Sequence, residues 1–195
     1  MAEEHEGDRP VASGAADASP SQAVSADTVT YATVDGREVT GYVAEPEAAP
    51  DSLPGLIVIH EWWGLNDNIR SMTRRLAAEG YRALAVDLYY GAVASSPDSA
   101  GSLTSTVQQE EAVSNLRQAH GWLTEQGAPR VGSIGWCFGG GWSLQTALAL
   151  PGDLDAAVIY YGRLVTDPGR LESLRMPLQG HFGAEDGSIP VEQVR

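Results

Sequence analysis

Apolar and polar side chains alternate over residues 28–34 and again over 38–43, and Asp35-Gly36 stands between the two runs. A two-residue Asp-Gly link between alternating segments predicts an antiparallel hairpin. The pattern then changes. GLIVI at residues 55–59, followed by His60, is continuously apolar, as suits a parallel strand covered on both faces. Residues 67–79 place Ile69, Met72, Leu76 and Ala77 on one side of a helix, with Asn66 or Asp67 as its cap and Gly80 as its stop. A second buried strand is expected at 81–86. Residues 92–105 are small and polar and read as a surface loop. An amphipathic helix is expected over 106–126 through Val107, Ala112, Val113, Leu116, Ala119, Trp122 and Leu123. A strand at 131–136, a helix at 138–150 and strands at 154–160 and 176–182 complete the series. Strands and helices alternating at this spacing predict an α/β fold, a doubly wound and mainly parallel sheet that opens with an antiparallel hairpin. Sites in such sheets form at the carboxyl ends of the strands, where Glu61, Cys137 and Asp186 all fall.

Residues 1–26 are rich in Ala, Ser, Asp, Glu, Gly and Pro without apolar period and are expected to form a disordered acidic tail, leaving one domain over 27–195. The formal charge of −14 argues against nucleic acid or an anionic membrane as partner. All twelve basic residues are arginine, an acidic, lysine-free composition that a halophilic host or a GC-rich genome would each produce. No apolar run reaches the length of a membrane span, and the first residues lack the order of a secretory signal. A lone cysteine permits no internal disulfide and fits a reducing compartment, so a cytoplasmic location is expected.

That cysteine sits in VGSIGWCFGGG, residues 131–141. Gly135-x-Cys137-x-Gly139 has the spacing of a nucleophile elbow, a tight strand-to-helix turn that needs small residues two before and two after its centre. Sulfur stands where serine usually does. A helix start favours an anion by up to ~2 kcal/mol, which lowers a thiol from ~8.5 to ~7.5. Most of the sulfur then stays protonated at neutral pH, and a base is required.

Beyond the tail, the chain resembles the dienelactone hydrolases, cysteine-dependent members of the α/β-hydrolase fold. The resemblance rests on ordered blocks: His60-Glu61-Trp62-Trp63-Gly64, Asp87-Leu88-Tyr89, Gly135-Trp136-Cys137-Phe138-Gly139-Gly140, Tyr160-Tyr161-Gly162 and His181-Phe182-Gly183-x-x-Asp186-x-x-Ile189-Pro190. It implies a hydrolase that needs neither cofactor nor metal and cleaves a small-molecule lactone or ester through an acyl-enzyme on Cys137. By position, Asp186 orients a histidine. The backbone N–H groups of Phe138 and Trp62 form the oxyanion hole, and Glu61 holds the resting thiol. Trp63, Tyr89 and Tyr161 line the substrate pocket.

Two departures accompany the resemblance. The family order is nucleophile, acid, histidine, yet His5 lies in the tail, His120 on a predicted helix, His60 at a strand end and His181 before Asp186. None occupies the catalytic position, and the resemblance implies a further ~40–60 residues carrying the last strand, a helix and the histidine loop. The best-known pattern also follows Asp-Leu-Tyr with Ala-Arg, an arginine suited to a substrate carboxylate. Here Tyr90-Gly91 stand in those positions, with Arg163 an alternative cation. Two other readings stay open on the residues: a binding module of the same fold without a base, and a redox sensor built on an exposed Cys137. Oligomeric state is not legible.

Overall fold

A computed structural model describes residues 7–10, 14, 19–48, 50 and 52–195. Half of the expected tail, residues 1–6, 11–13 and 15–18, lies outside these residues. Its last part does not behave as a tail: Ser21 Oγ and Gln22 Nε2 donate to the carbonyl of Ala78, and the first strand begins at Val24.

Strands β1 (Val24–Val34) and β2 (Arg37–Pro46) form the hairpin, and Asp35 and Gly36 have φ of 48° and 73°. Two successive positive φ values define the type I′ turn that matches strand twist. A register shift at Thr30/Ala32 marks a bulge, next to which the Tyr31 side chain is buried. Then follow β3 (Gly55–Ile59), α1 (Asp67–Ala78), β4 (Arg82–Val86), α2 (Pro97–Thr106), α3 (Gln109–Glu125), β5 (Val131–Trp136), α4 (Phe138–Ala149), β6 (Ala156–Tyr160), α5 (Pro168–Leu171), β7 (Leu178–His181) and α6 (Val191–Val194). The sheet order is β1-β2-β4-β3-β5-β6-β7, antiparallel across β1, β2 and β4 and parallel from β4 to β7.

Alternation inside the apolar runs assigns each residue to one of two cores. Ile57, Ile59, Leu84 and Val86 pack with Leu116, Ala119 and Leu123 of α3 and Ala147 of α4. Leu56, Val58, Ala83 and Ala85 pack with Ile69, Ala77 and Ala78 of α1. Helices therefore cover both faces, which is why these strands read as continuous apolar runs. The alternative caps of α1 resolve to Asn66, whose Oδ1 accepts from Ile69 N at 3.1 Å, and Gly80 ends the helix at φ 99°.

One expected loop is a helix. Residues 97–106 form α2, started by a capping box between Ser96 and Ser99 with Pro97 in its first turn. Its composition hid it, because only Ala100 is buried and no apolar stripe exists. The helix expected from 106 starts instead at Gln109, after Val107 has capped α2. Among the described residues, no helix is long and apolar enough to cross a membrane.

Parallel register aligns the strand ends. Ile59 pairs with Gly135, Trp136 with Tyr160, and Tyr160 with His181. The segments that follow β3, β5, β6 and β7 consequently leave the sheet side by side.

Candidate active site

Cys137 follows the last residue of β5 with φ 55° and ψ −119°, a region that side chains other than glycine rarely enter. Its N–H donates to Tyr160 O at 3.0 Å, which ties the turn to β6. Close packing of backbones holds the turn. A Cβ on Gly135 would lie 2.1 Å from Gly139 O, and one on Gly139 2.3 Å from Ile59 O and 2.5 Å from His60 O. A Cβ on Gly140 would lie 2.5 Å from Tyr160 O, and one on Gly162 2.1 Å from Gly141 N. The start of α4 is thus pressed against the ends of β3, β5 and β6. The glycine pattern meets its reason here: each position is an approach of one main chain to another.

At the thiol, electrostatics reverses the direction expected from the helix start alone. Burial is the largest influence and pushes the Cys137 thiol up, while the backbone N–H groups of Phe138 and Trp62 pull it down by bonding to the sulfur. The charges of Glu61 and Asp186 push it further up, and the net direction is upward. Cys137 therefore rests as a protonated thiol. Because the N–H of Cys137 is taken by Tyr160, the donors facing sulfur are those of Phe138 and Trp62.

Glu61 lies beside this thiol. Burial raises its carboxyl above the usual range, opposed by the Tyr161 hydroxyl, which donates to Oε1 at 3.3 Å. Tyr161 itself has φ 38° and is 42% exposed, and its phenol is pushed up by burial and by the charge of Glu61. The other two residues expected in a substrate pocket face inward. Trp63, 8% exposed, packs with Ala94 and Ala100, the latter on α2. Tyr89, 6% exposed, donates to Trp62 O at 3.2 Å and lies 3.4 Å from Thr104 Oγ1. Burial pushes the Tyr89 hydroxyl up to about 12. Both residues thereby back the loop that carries Trp62.

Asp186 Oδ1 accepts from the N–H groups of Ser188 at 2.8 Å and Ile189 at 3.2 Å, so the loop after β7 holds its carboxylate in place. No described histidine is hydrogen-bonded to Cys137 or Asp186. His181 stacks on Tyr160 with centroids 4.3 Å apart, and His120 reaches Asp153 O. His60 is fully buried: Nδ1 lies 2.6 Å from Glu61 O, and Nε2 accepts from Leu88 N at 3.2 Å. His5 lies outside the described residues, and Arg163 is exposed.

Sequence reasoning missed the support behind the site. Asp87 N donates to Tyr31 Oη at 3.1 Å, and Asn115 Nδ2 donates to Asp87 O at 2.9 Å. Tyr31 Oη donates to Asn115 Oδ1 at 2.6 Å, closing the network. Asp87 Oδ1 accepts from Tyr89 N at 2.8 Å, and Oδ2 from Gly91 N. A polar Asn115 on the apolar side of a helix was the available signal. Two surface hollows, of about 690 and 230 Å³, lie along α3, and neither is lined by Cys137. Among the described residues, no group of three or more His, Cys, Asp or Glu side chains is placed to hold a metal ion.

Comparisons with known proteins agree with this geometry. A Salmonella typhimurium protein provisionally named carboxymethylenebutenolidase is 33% identical over 191 residues, covering 90% of this chain and 70% of its own length. A Klebsiella pneumoniae crystal structure provisionally described as a dienelactone hydrolase is 32% identical, with a TM-score of 0.76 over 89% of this chain and 78% of that one. A dienelactone hydrolase-like promiscuous phosphotriesterase from metagenomic libraries is 27% identical, with a TM-score of 0.77 over 88% of this chain and 74% of that one. The sequence model described as the dienelactone hydrolase family matches residues 39–195, from the second strand of the hairpin to Arg195. With an α/β-hydrolase sheet beneath a glycine-framed elbow, this chain is a hydrolase of the dienelactone hydrolase family.

Proposed function

We propose that the protein cleaves a lactone or small carboxylic ester through Cys137, with an acyl-enzyme as intermediate. One observation carries the reading: a sulfur atom at a strained elbow, with the N–H groups of Phe138 and Trp62 turned toward it. A general base takes the thiol proton as sulfur attacks the carbonyl carbon, forming a C–S bond and moving an electron pair onto oxygen, and that same proton is the one later given to the leaving alkoxide. Those two N–H groups are suited to receive the resulting oxyanion. Its collapse breaks the C–O bond and releases an alkoxide, which takes a proton as it leaves. Water then cleaves the acyl-enzyme.

Glu61 keeps the sulfur protonated at rest, since its charge opposes a thiolate. Asp186, whose carboxylate is held by two N–H groups, is suited to orient a histidine base, which none of the described histidines supplies. Tyr90 and Gly91 favour an uncharged substrate over one bearing a carboxylate. The Tyr90 hydroxyl donates to Glu111 at 3.0 Å and Arg37 lies over its ring, so this turn offers no free cation to a substrate anion.

A second reading is favoured by a separate observation, that no described histidine is joined to Cys137 or Asp186. It is a module that binds or is acylated but does not turn over. Hydrolysis of p-nitrophenyl acetate and of a five-membered enol lactone separates the two. Steady turnover that disappears in Cys137→Ala supports the enzyme. A single stoichiometric burst supports the module, and activity that survives Cys137→Ala sinks both.

A further inference from the structure

We infer that His60 is a positioning residue, holding in place the peptide that presents one of the two oxyanion-hole N–H groups. This rests on the proposed chemistry at Cys137 and adds to it a group that never touches substrate.

The geometry is specific about atoms. Glu61 O can only accept, so the proton on the 2.6 Å contact belongs to His60 Nδ1. Leu88 N–H can only donate, so Nε2 of the same ring is the bare acceptor at 3.2 Å. The two contacts together fix a neutral ring with its proton on Nδ1. A protonated ring would aim a second N–H at that of Leu88. Burial also lowers the imidazole below its usual value, against smaller opposite pulls from the hydrogen bond to Glu61 O and then from the charge of Asp87.

The carbonyl of Glu61 and the N–H of Trp62 belong to one peptide plane. A hydrogen bond to that carbonyl fixes the plane's rotation, and therefore the direction of the Trp62 N–H, and polarises it into a stronger donor. On the next peptide, the Tyr89 hydroxyl holds Trp62 O at 3.2 Å. The second donor is also within reach of His60. Its ring lies 5.8 Å from that of Phe138 at an interplanar angle of 20°, and its own carbonyl faces Gly139 where a Cβ would come within 2.5 Å. His60 touches both segments that supply the hole.

Nε2 leads outward to the support. Leu88 follows Asp87, whose main chain is fixed by Tyr31 and Asn115. The hairpin and α3 thus set the position of an N–H group to which they are not bonded. A ring that merely filled space would require neither contact, and both of its nitrogens are used. Being neutral, fully buried and occupied at both nitrogens, His60 cannot serve as the base for Cys137.

The test compares His60→Phe and His60→Gln with the wild type. Phenylalanine keeps an aromatic ring and removes both hydrogen bonds, whereas a glutamine amide offers one donor and one acceptor. Loss of a whole oxyanion donor slows acyl transfer ~10²–10³-fold, and a loosened donor is expected to cost ~10–100-fold. For His60→Phe, acylation of Cys137 by p-nitrophenyl acetate slows by that factor with KM within about twofold, because only the transition state feels the donor. Alkylation by iodoacetamide, which creates no oxyanion, stays within about twofold of wild type, and His60→Gln recovers part of the acylation rate. Acylation at the wild-type rate in a folded His60→Phe overturns the inference. So does an equal fall in alkylation, which would mark general damage to the site. If Cys137→Ala is acylated like the wild type, it is the proposed chemistry that fails instead. Should His60→Phe not fold, ring ¹⁵N resonances of the wild-type protein decide: a proton on Nδ1 throughout about pH 5–9 supports the inference, and a proton on Nε2 or a titration within that range overturns it.

Discussion

At the scale of single residues, the surroundings of Cys137 disfavour its thiolate. Burial and two carboxylates raise the Cys137 thiol, and Glu61 is the larger of the two charge effects. Alkylation of the wild-type thiol is therefore expected to rise only above the ordinary thiol range. Glu61→Gln should shift that profile to lower pH and speed alkylation at neutral pH several-fold; an unmoved profile in rate measurements against pH would remove Glu61 from the control of sulfur. The same substitution has a consequence for stability. The folded carboxyl of Glu61 titrates above its unfolded value, so its contribution favours folding below the carboxylate range and is lost as pH rises through the folded value. Glu61→Gln, which still offers Tyr161 an acceptor, should melt above wild type near pH 7, the gap closing toward about pH 4 in thermal scans. Glu61 and Cys137 were recognisable in the chain by their blocks. Their mutual influence was only partly so, because the sign of a pKa shift depends on burial, which no motif records.

At the scale of elements, two predictions concern backbone. A Cβ on Gly162 would meet Gly141 N at 2.1 Å and Gly140 C at 2.2 Å, and neither is the end of a flexible side chain. Gly162→Ala should cost about 3 kcal/mol, the upper end for overpacking, or roughly 6–12 °C in melting temperature. A melting point within about 2 °C of wild type would show that α4 and the segment after β6 separate easily. Ser96→Ala removes the cap of α2 and is expected to cost about 1 kcal/mol, whereas Ser102→Ala on its exposed side should stay within about 0.5 kcal/mol. These cases show what the sequence made legible. The elbow glycines announced a close approach by their spacing, though their partners in β3 and after β6 lie far along the chain. Helix α2 gave no periodic signal, since a capping box and one buried Ala100 determine it. His60 was rightly placed at a strand end, but of the two contacts that give it meaning only Glu61 O is its chain neighbour, and the other, Leu88 N, comes from a loop 28 residues on.

The whole molecule carries a formal charge of −14, and its side-chain ion pairs include Arg37–Glu111 and Arg82–Glu45. Self-repulsion on that scale is relieved by salt, so melting temperature should climb as sodium chloride is raised from dilute buffer toward about 1 M, where screening reaches within ~3 Å. A flat dependence would mean that repulsion is already relieved in the folded chain. Fold class was the most legible property of all, because alternating strands and helices and doubly apolar strands leave few arrangements. Strand order and register were not, being set by contacts between distant segments. That register has one more consequence. Residues on four strands must align before His60, Cys137, Tyr161 and the segment leading to Asp186 stand together, and the Tyr161–Glu61 bond alone spans 100 residues. No fragment of the sheet contains the site. Uptake of an acyl group at Cys137 during refolding would serve as a clock for the sheet, starting only in molecules whose central strands have all come into step.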